Sequence, residues 1–260
     1  MKTIIFTNQK GGVGKTTLTR ELGIAFSLRS LSVLLIDADP QGNLTKSLID
    51  PPESGLYEAF EGEAFEPVKL RPNLSLLAGD ARLAALEKRY LGDVDAYGKL
   101  SALFDDGKLS GFDFVLIDSP PSLGIMTLNG LAAADYFVIP LRPALYSLQG
   151  TNDLLASVAK VKKSLNPGLE LLGVVINDFL PGPIISRQLR AEIEEGFGER
   201  VFSTAVSRTI KVEEAIASRT GVVEEETKIA SEVTALADEI LSRLHGRAAT
   251  IGCDQSRLEG

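Results

Sequence analysis

Residues 8–17 read Asn-Gln-Lys-Gly-Gly-Val-Gly-Lys-Thr-Thr, a spacing that suits a polyphosphate. Gly11, Gly12 and Gly14 let the backbone turn its N–H groups inward around phosphate oxygens. Lys15 supplies a point charge, and the Thr16 hydroxyl is a ligand for Mg²⁺. With Val13 and Thr17 between and after them, the candidate nucleotide-binding stretch runs from Lys10 to Thr17. The common phosphate-loop pattern places its first glycine where Gln9 stands, so the strict motif fails. A second lysine, Lys10, precedes the glycine pair instead. Two ammonium groups beside one phosphate chain are most useful where a charge must come from elsewhere.

Three carboxylates form the second group. Asp37 and Asp39 follow the apolar run Val33–Ile36, and Asp118 follows Phe114–Ile117. The first two are expected at the ligand edge of a sheet, beside the phosphate loop if strands one and two lie near each other. They are read as pointing to opposite faces and so as doing different jobs. Asp118 is expected to hold Mg²⁺ through water, with Pro120 and Pro121 stiffening the loop that follows.

These residues need elements to position them. Apolar runs at Thr3–Thr7, Val33–Ile36, Leu74–Leu77, Phe114–Ile117, Tyr136–Ile139 and Leu171–Ile176, with a weaker one at Val201–Val206, predict strands. Helical spacing covers Thr16–Leu28, Leu44–Ile49, Ala81–Phe104, Ile125–Ala134, Thr151–Leu165, Ser186–Phe197, Val212–Ser218 and Ile229–Leu244. Strands that are apolar throughout and alternate with helices predict a doubly wound α/β fold, a mostly parallel sheet with helices on both faces. A single domain is expected over 1–245, with Asp50–Pro72 inserted in it and 246–260 as a flexible tail.

Composition narrows the chemistry. The chain has 260 residues, one cysteine (Cys253) and one histidine (His245), too few for a disulfide, an iron–sulfur cluster or a Cys/His metal cage. No 18-residue apolar stretch and no signal-peptide pattern occurs, so a cytoplasmic protein is expected. The formal net charge of −8 does not attract nucleic acid, which would need a local basic patch.

The loop, together with Asp37-Ala38-Asp39-Pro40-Gln41-Gly42-Asn43 and Ile117-Asp118-Ser119-Pro120-Pro121-Ser122-Leu123-Gly124, resembles the deviant-Walker ATPases of the ParA type, in the MinD/ParA superfamily. These sort plasmids and chromosomes in bacteria or position other cargo. The likeness runs from Lys2 to about Leu244 and includes Ala144–Gly150. It implies a P-loop ATPase that uses ATP and Mg²⁺ and associates with the nucleoid. It further implies a homodimer sandwiching ATP that binds DNA non-specifically and is stimulated by a ParB-like centromere-binding protein. By the same likeness Lys10 and Lys15 are catalytic, Lys10 reaching the partner subunit's ATP. Asp39 orients the attacking water, Asp37 supports the loop or the outer shell of the metal, and Asn177 contacts adenine. The backbone around Ser207–Thr209 faces the base, although the family's usual Pro-Arg-Asn is absent there.

Dimers of this type bind DNA through basic residues of the C-terminal third, here Arg187, Arg190, Arg208, Lys211 and Arg219. From Pro183 to Arg219 six basic residues stand against six acidic ones, so only segregation could make a patch. Lys160, Lys162 and Lys163 form a second cluster that reads as a solvated face. Glu224, Glu225 and Glu226 are a candidate receiver for a basic partner segment. No helix-turn-helix precedes the loop, and the polar, glycine-broken end is unsuited to a membrane. Positioning of a protein cargo, or a small-molecule ATP-dependent kinase or ligase on the same fold, remain as other readings.

Overall fold

The computed structural model describes residues 1–90, 92–93, 95–144, 149–180, 182 and 184–255. Seven strands form one sheet: β1 (Lys2–Phe6), β2 (Val33–Asp37), β3 (Val68–Arg71), β4 (Leu74–Leu77), β5 (Phe114–Asp118), β6 (Tyr136–Leu141) and β7 (Glu170–Ile176). Their order is β3-β4-β2-β5-β1-β6-β7. Every pairing is parallel except β3 with β4 at one edge. β2, β5 and β6 are buried at every position, because helices cover both faces of a parallel sheet.

Alternation along the strands divides the core in two. Ile4, Phe6, Val33 and Leu35 face α1 (Lys15–Ser27), α2 (Asn43–Leu48), α9 (Lys211–Ala217) and α10 (Lys228–Gln255). Ile5, Leu34, Ile36 and Ile117 face α3 (Leu56–Glu61), α4 (Leu83–Arg89), α5 (Lys99–Asp105), α6 (Ile125–Ala133), α7 (Gln149–Ser164) and α8 (Ile184–Phe197). An ion pair inside α1, Arg20 with Glu21, is fully buried. Arg20 donates to the carbonyls of Ala215 and Thr220, and Glu21 accepts from the Val222 amide, so α1 is tied to the far end of α9.

Five sequence expectations change. β1 and β2 are not neighbours: β5 lies between them, placing Asp118 beside Phe6 on one side and Asp37 on the other. Val201–Val206 makes only isolated bridges at Val201 and Ser207. The Ser203 and Thr204 amides turn instead to the Glu239 carboxylate, which interrupts the ladder. The helix expected over Ala81–Phe104 is two helices and a 3₁₀ turn (Asp95–Gly98), broken near Gly92, whose φ of 83° leaves the helical region. The segment expected as an insertion supplies α3 and the antiparallel edge strand β3. Beyond Leu244, where the apolar spacing ends, the backbone of α10 stays helical to Gln255. Leu145–Leu148, part of the motif at 144–150, lie outside the described residues.

Candidate nucleotide site

The loop from Thr7 to Gly14 leaves the carboxyl end of β1 and enters α1 directly. Gly14 caps the helix in the left-handed region (φ 90°), with no side chain bonded to the first turn, so its N–H groups remain open to an anion. A side chain at Gly14 would also collide with Asn177, whose Nδ2 would lie 2.0 Å from the added carbon. Asn177 spends that group on the Val13 carbonyl at 2.9 Å and is buried, which fixes the start of the 177–178 turn against the loop. Asn8 does the same from the other side. It donates to the Pro140 carbonyl at 2.7 Å and accepts from the Lys10 amide at 2.9 Å.

Lys15 is 7% exposed, and its Nζ donates to the Asn8 carbonyl at 3.1 Å. Burial lowers its pKa, against the opposing pull of Asp118 and Asp39. Thr16 Oγ1 donates to Asp118 Oδ2 at 2.6 Å. Asp118 is fully buried, and its Oδ1 has no hydrogen-bond partner among the described residues. Burial, then the charge of Asp37, pushes its carboxyl well above the ordinary range. A buried carboxylate oxygen without a donor beside a threonine hydroxyl is an oxygen set that fits a hard divalent cation such as Mg²⁺.

Asp37 and Asp39 have different jobs, but not by alternation. Residues two apart on one strand share a face. β2 ends at Asp37, and the chain turns before Asp39. The Asp37 carboxylate is spent inside the protein, accepting from the Thr45 amide at 2.8 Å and the Thr45 hydroxyl at 2.7 Å. Burial raises its pKa to about 6, opposed by the two Thr45 bonds. It therefore fastens α2 to the strand end. Asp39 instead lines the cleft with Lys15, Thr16 and Pro121, and accepts from the Gln41 amide at 2.9 Å.

Two adjoining cavities, of about 370 and 270 Å³, share Gly12, Gly14 and Thr17 and make one groove from Pro121 to Arg208. Its far half is lined by Asn177, Asp178, Ser207 and Thr209. Arg208, grouped by sequence with the DNA-contacting residues, lines this pocket instead. It is held with Arg142 by ion pairs to Asp178, of 3.6 and 2.5 Å. Lys10 is exposed and outside the groove lining, with no ion pair among the described residues. Of the other basic candidates, Arg190 pairs with Glu194, Lys211 with Glu214 and Arg219 with Asp50. Arg187 is exposed on α8 with no ion pair among the described residues.

Sequence reasoning missed Asn8 and Thr45. Each is a polar residue buried in a loop or first helical turn, and only their partners' positions reveal them.

A family profile described as an AAA domain matches residues 1–171. The chain is 37% identical to the chromosome-partitioning ATPase Soj of Thermus thermophilus over 215 residues, 83% of this chain and 84% of that one. It is 34% identical to the chromosome partitioning protein ParA of Caulobacter vibrioides over 259 residues, 96% of this chain and 97% of that one. Among solved structures, cobyrinic acid a,c-diamide synthase of Mycobacterium smegmatis with bound ADP and magnesium superimposes with a TM-score of 0.82 at 30% identity. That match covers 94% of this chain and 96% of the other. Apo McdA of Cyanothece does so with a TM-score of 0.83 at 25% identity, covering 93% and 99%.

Proposed function

The chain belongs to the ParA/Soj family of partition ATPases, and we propose that it works as an ATP-dependent DNA-sorting switch whose Mg²⁺-ATP-bound form is a face-to-face dimer. The observation that carries this is the contrast between the two lysines of the loop. Lys15 is buried and aimed along its own loop, whereas Lys10 stands in water outside its own groove. A cation so placed serves a phosphate chain that arrives from a second copy, where it acts as an arginine finger does on the transferring phosphoryl group. Dimerisation then depends on the γ-phosphate, because without it two positive loops have no common counter-ion.

Within each subunit the loop amides and Lys15 hold the phosphates, and Thr16 with Asp118 holds Mg²⁺, Asp118 acting through water. When bound, Mg²⁺ neutralises charge on the phosphate oxygens. Asp39, at the open side of the groove, orients the attacking water. Asp37 acts on Asp39 only by anchoring the turn between them. Asn177 and the Ser207–Thr209 backbone receive the base.

The dimer holds nucleoid DNA through Arg187 with Arg190, Lys211 and Arg219, and a ParB-like partner stimulates hydrolysis. Glu224–Glu226 offer such a partner an acidic docking point. Cytoplasmic, nucleoid-associated action fits the described residues, in which no helix is long and apolar enough to cross a membrane. A domain of 1–245 carries all of these roles.

The test is binding to random-sequence duplex DNA with ATP, ADP or no nucleotide at two salt concentrations. Binding that needs ATP and weakens with salt is expected. The likeness to the Mycobacterium smegmatis synthase favours a second reading, an ATP-dependent small-molecule ligase. ATP turnover that proceeds at full rate without DNA or partner protein, with no DNA binding by the ATP dimer, would select it.

A further inference from the structure

A groove of about 380 Å³ lies on the face of the molecule covered by α6 and α7, away from the nucleotide. Its apolar walls are Tyr97, Leu123, Leu128, Val161 and Leu165, and Lys160 stands at its edge. The α7 side of it is a helical stripe, since Ser157, Lys160, Val161, Ser164 and Leu165 follow the spacing i, i+3, i+4, i+7, i+8. Leu165, just past the helix end, is 37% exposed. No acidic side chain is among the lining residues.

The charge at this edge sets it apart in a chain of net charge −8. Lys160 and Lys163 are three apart, so they occupy the same flank of α7, both exposed. Neither makes an ion pair among the described residues, a state they share with Lys10 and Arg187, whereas Arg190, Lys211 and Arg219 are paired. An apolar trough with unpaired cations along one bank fits an amphipathic segment whose apolar side is bordered by carboxylates. What distinguishes this bank from the exposed Arg187 and Lys10 is the apolar trough beside it, so the two lysines with the trough set where an acidic amphipathic segment lands.

We propose that this groove is a docking surface for an acidic amphipathic helix of a partner protein. Its wall residue Leu123 sits in the loop between Asp118 and α6, so a helix seated there bears on the loop that carries Asp118. Docking is thereby linked to ATP turnover. Only this link rests on the ATPase reading, and the binding itself does not.

The test uses a fluorescent helical peptide with leucines at three- and four-residue spacing and glutamates on its other face, beside a copy with lysines for glutamates. Anisotropy with the full chain is expected to show binding of the acidic peptide that weakens with salt, and binding of the basic copy at least tenfold weaker. Lys160→Glu/Lys163→Glu and, separately, Leu165→Glu, all at exposed or half-exposed positions, are each expected to cost about tenfold in affinity. Equal binding of the two peptides, no binding of either, or indifference to both variants overturns the proposal. So does a lysine variant that loses affinity for random duplex DNA while keeping the peptide, which makes DNA the occupant. Peptide binding with unchanged ATP turnover keeps the surface and removes its link to Asp118. A chain that hydrolyses no ATP yet binds the peptide as expected removes the ATPase reading alone.

Discussion

At the phosphate loop the charged groups other than Lys10 are buried and held by atoms that the sheet positions; across the C-terminal surface they stand in water and, Arg187 apart, hold one another. Lys15, Asp37 and Asp118 are each under 10% exposed, and each has its direction fixed by strand ends or by the first turn of a helix. Arg190, Lys211 and Arg219 have their nearest acid three or four residues away in their own helix, or on a loop in the case of Asp50. Exposed pairs of that kind contribute little and rearrange easily. The first region is built before its ligand arrives, as catalysis requires. The second becomes a site only when a polyanion displaces the acids already there.

The largest effects belong to the built region. Asp39→Ala is expected to lower single-turnover hydrolysis by about 10³-fold while leaving an ATP dimer in size-exclusion chromatography. Lys10→Ala is expected to lower turnover at least as far but to leave ATP binding within about threefold, with no dimer by light scattering. The two variants therefore part company on assembly, not on rate. A Lys10→Ala protein that still dimerises with ATP would show that the exposed lysine serves its own subunit.

The next effect measures how tightly the loop is fitted. Gly14→Ala places a carbon in the left-handed region and against Asn177, and is expected to cost about 3 kcal/mol in urea denaturation. Gly11, where an added side-chain carbon would meet nothing within 4 Å and φ is not positive, is the control. Gly11→Ala is expected to cost under about 1 kcal/mol. Equal losses would mean that the 177–178 turn yields and that Asn177 does not hold the loop.

Why one region is legible in the sequence and the other is not follows from the same contrast. Lys15, Thr16 and Asp118 lie within a residue or two of the end of an apolar run or the start of a helix, so local pattern fixes where they go. For Asp37 and Asp39 the sequence points to the ligand edge through their place at a strand end, but it separates their faces by an alternation that does not apply past that end. Asn8 and Thr45 escape because polarity in a loop reads as solvation, while their partners are a carbonyl 132 residues away and a carboxylate eight residues back. The Arg20–Glu21 pair escapes for a similar reason, since a charged dipeptide in a helix carries no sign that α9 will cover it. That Arg208 lines the cavity beside Asn177 is not legible in a segment where it is one of six basic residues at zero net charge, and the bridge of Phe179 to Ser207 brings it there.

Protonation probes the built region without a mutation. The folded pKa of Asp37 is raised from 3.8 to about 6, and that of Asp118 is raised well above its ordinary value by burial and by the charge of Asp37. A carboxyl with a raised folded pKa binds protons more tightly in the native state. Its stabilising contribution is therefore complete below the unfolded value and is lost as pH rises through about 6 and beyond for the pair. Without nucleotide, stability to urea is expected to fall by roughly 2 kcal/mol between pH 5 and pH 7.5. Asp118→Asn should remove only its own share of that slope and leave that of Asp37, and Mg²⁺-ATP should flatten it in the unmodified chain. A slope unchanged in Asp118→Asn would remove Asp118 from its origin and leave Asp37 and the buried Glu21.

The smallest effect decides whether the C-terminal surface is a site at all. Arg187 is exposed and has no ion pair among the described residues, so Arg187→Glu is expected to weaken DNA binding about tenfold and to lower the salt slope by about one per subunit. Lys211→Glu and Arg219→Glu should each do less, because in the free protein those cations already have acids, and DNA must compete with Glu214 and Asp50. Arg208→Glu separates the two regions. It lines the base pocket beside Asn177 and is paired to Asp178, so its loss is expected to weaken nucleotide binding by fluorescence titration. With ATP held saturating, DNA affinity should then return to the parental value. If Arg208→Glu instead weakens DNA binding at saturating ATP while leaving nucleotide affinity intact, the groove ends short of Arg208. The exposed cations of the C-terminal third then form one continuous phosphate-binding surface after all.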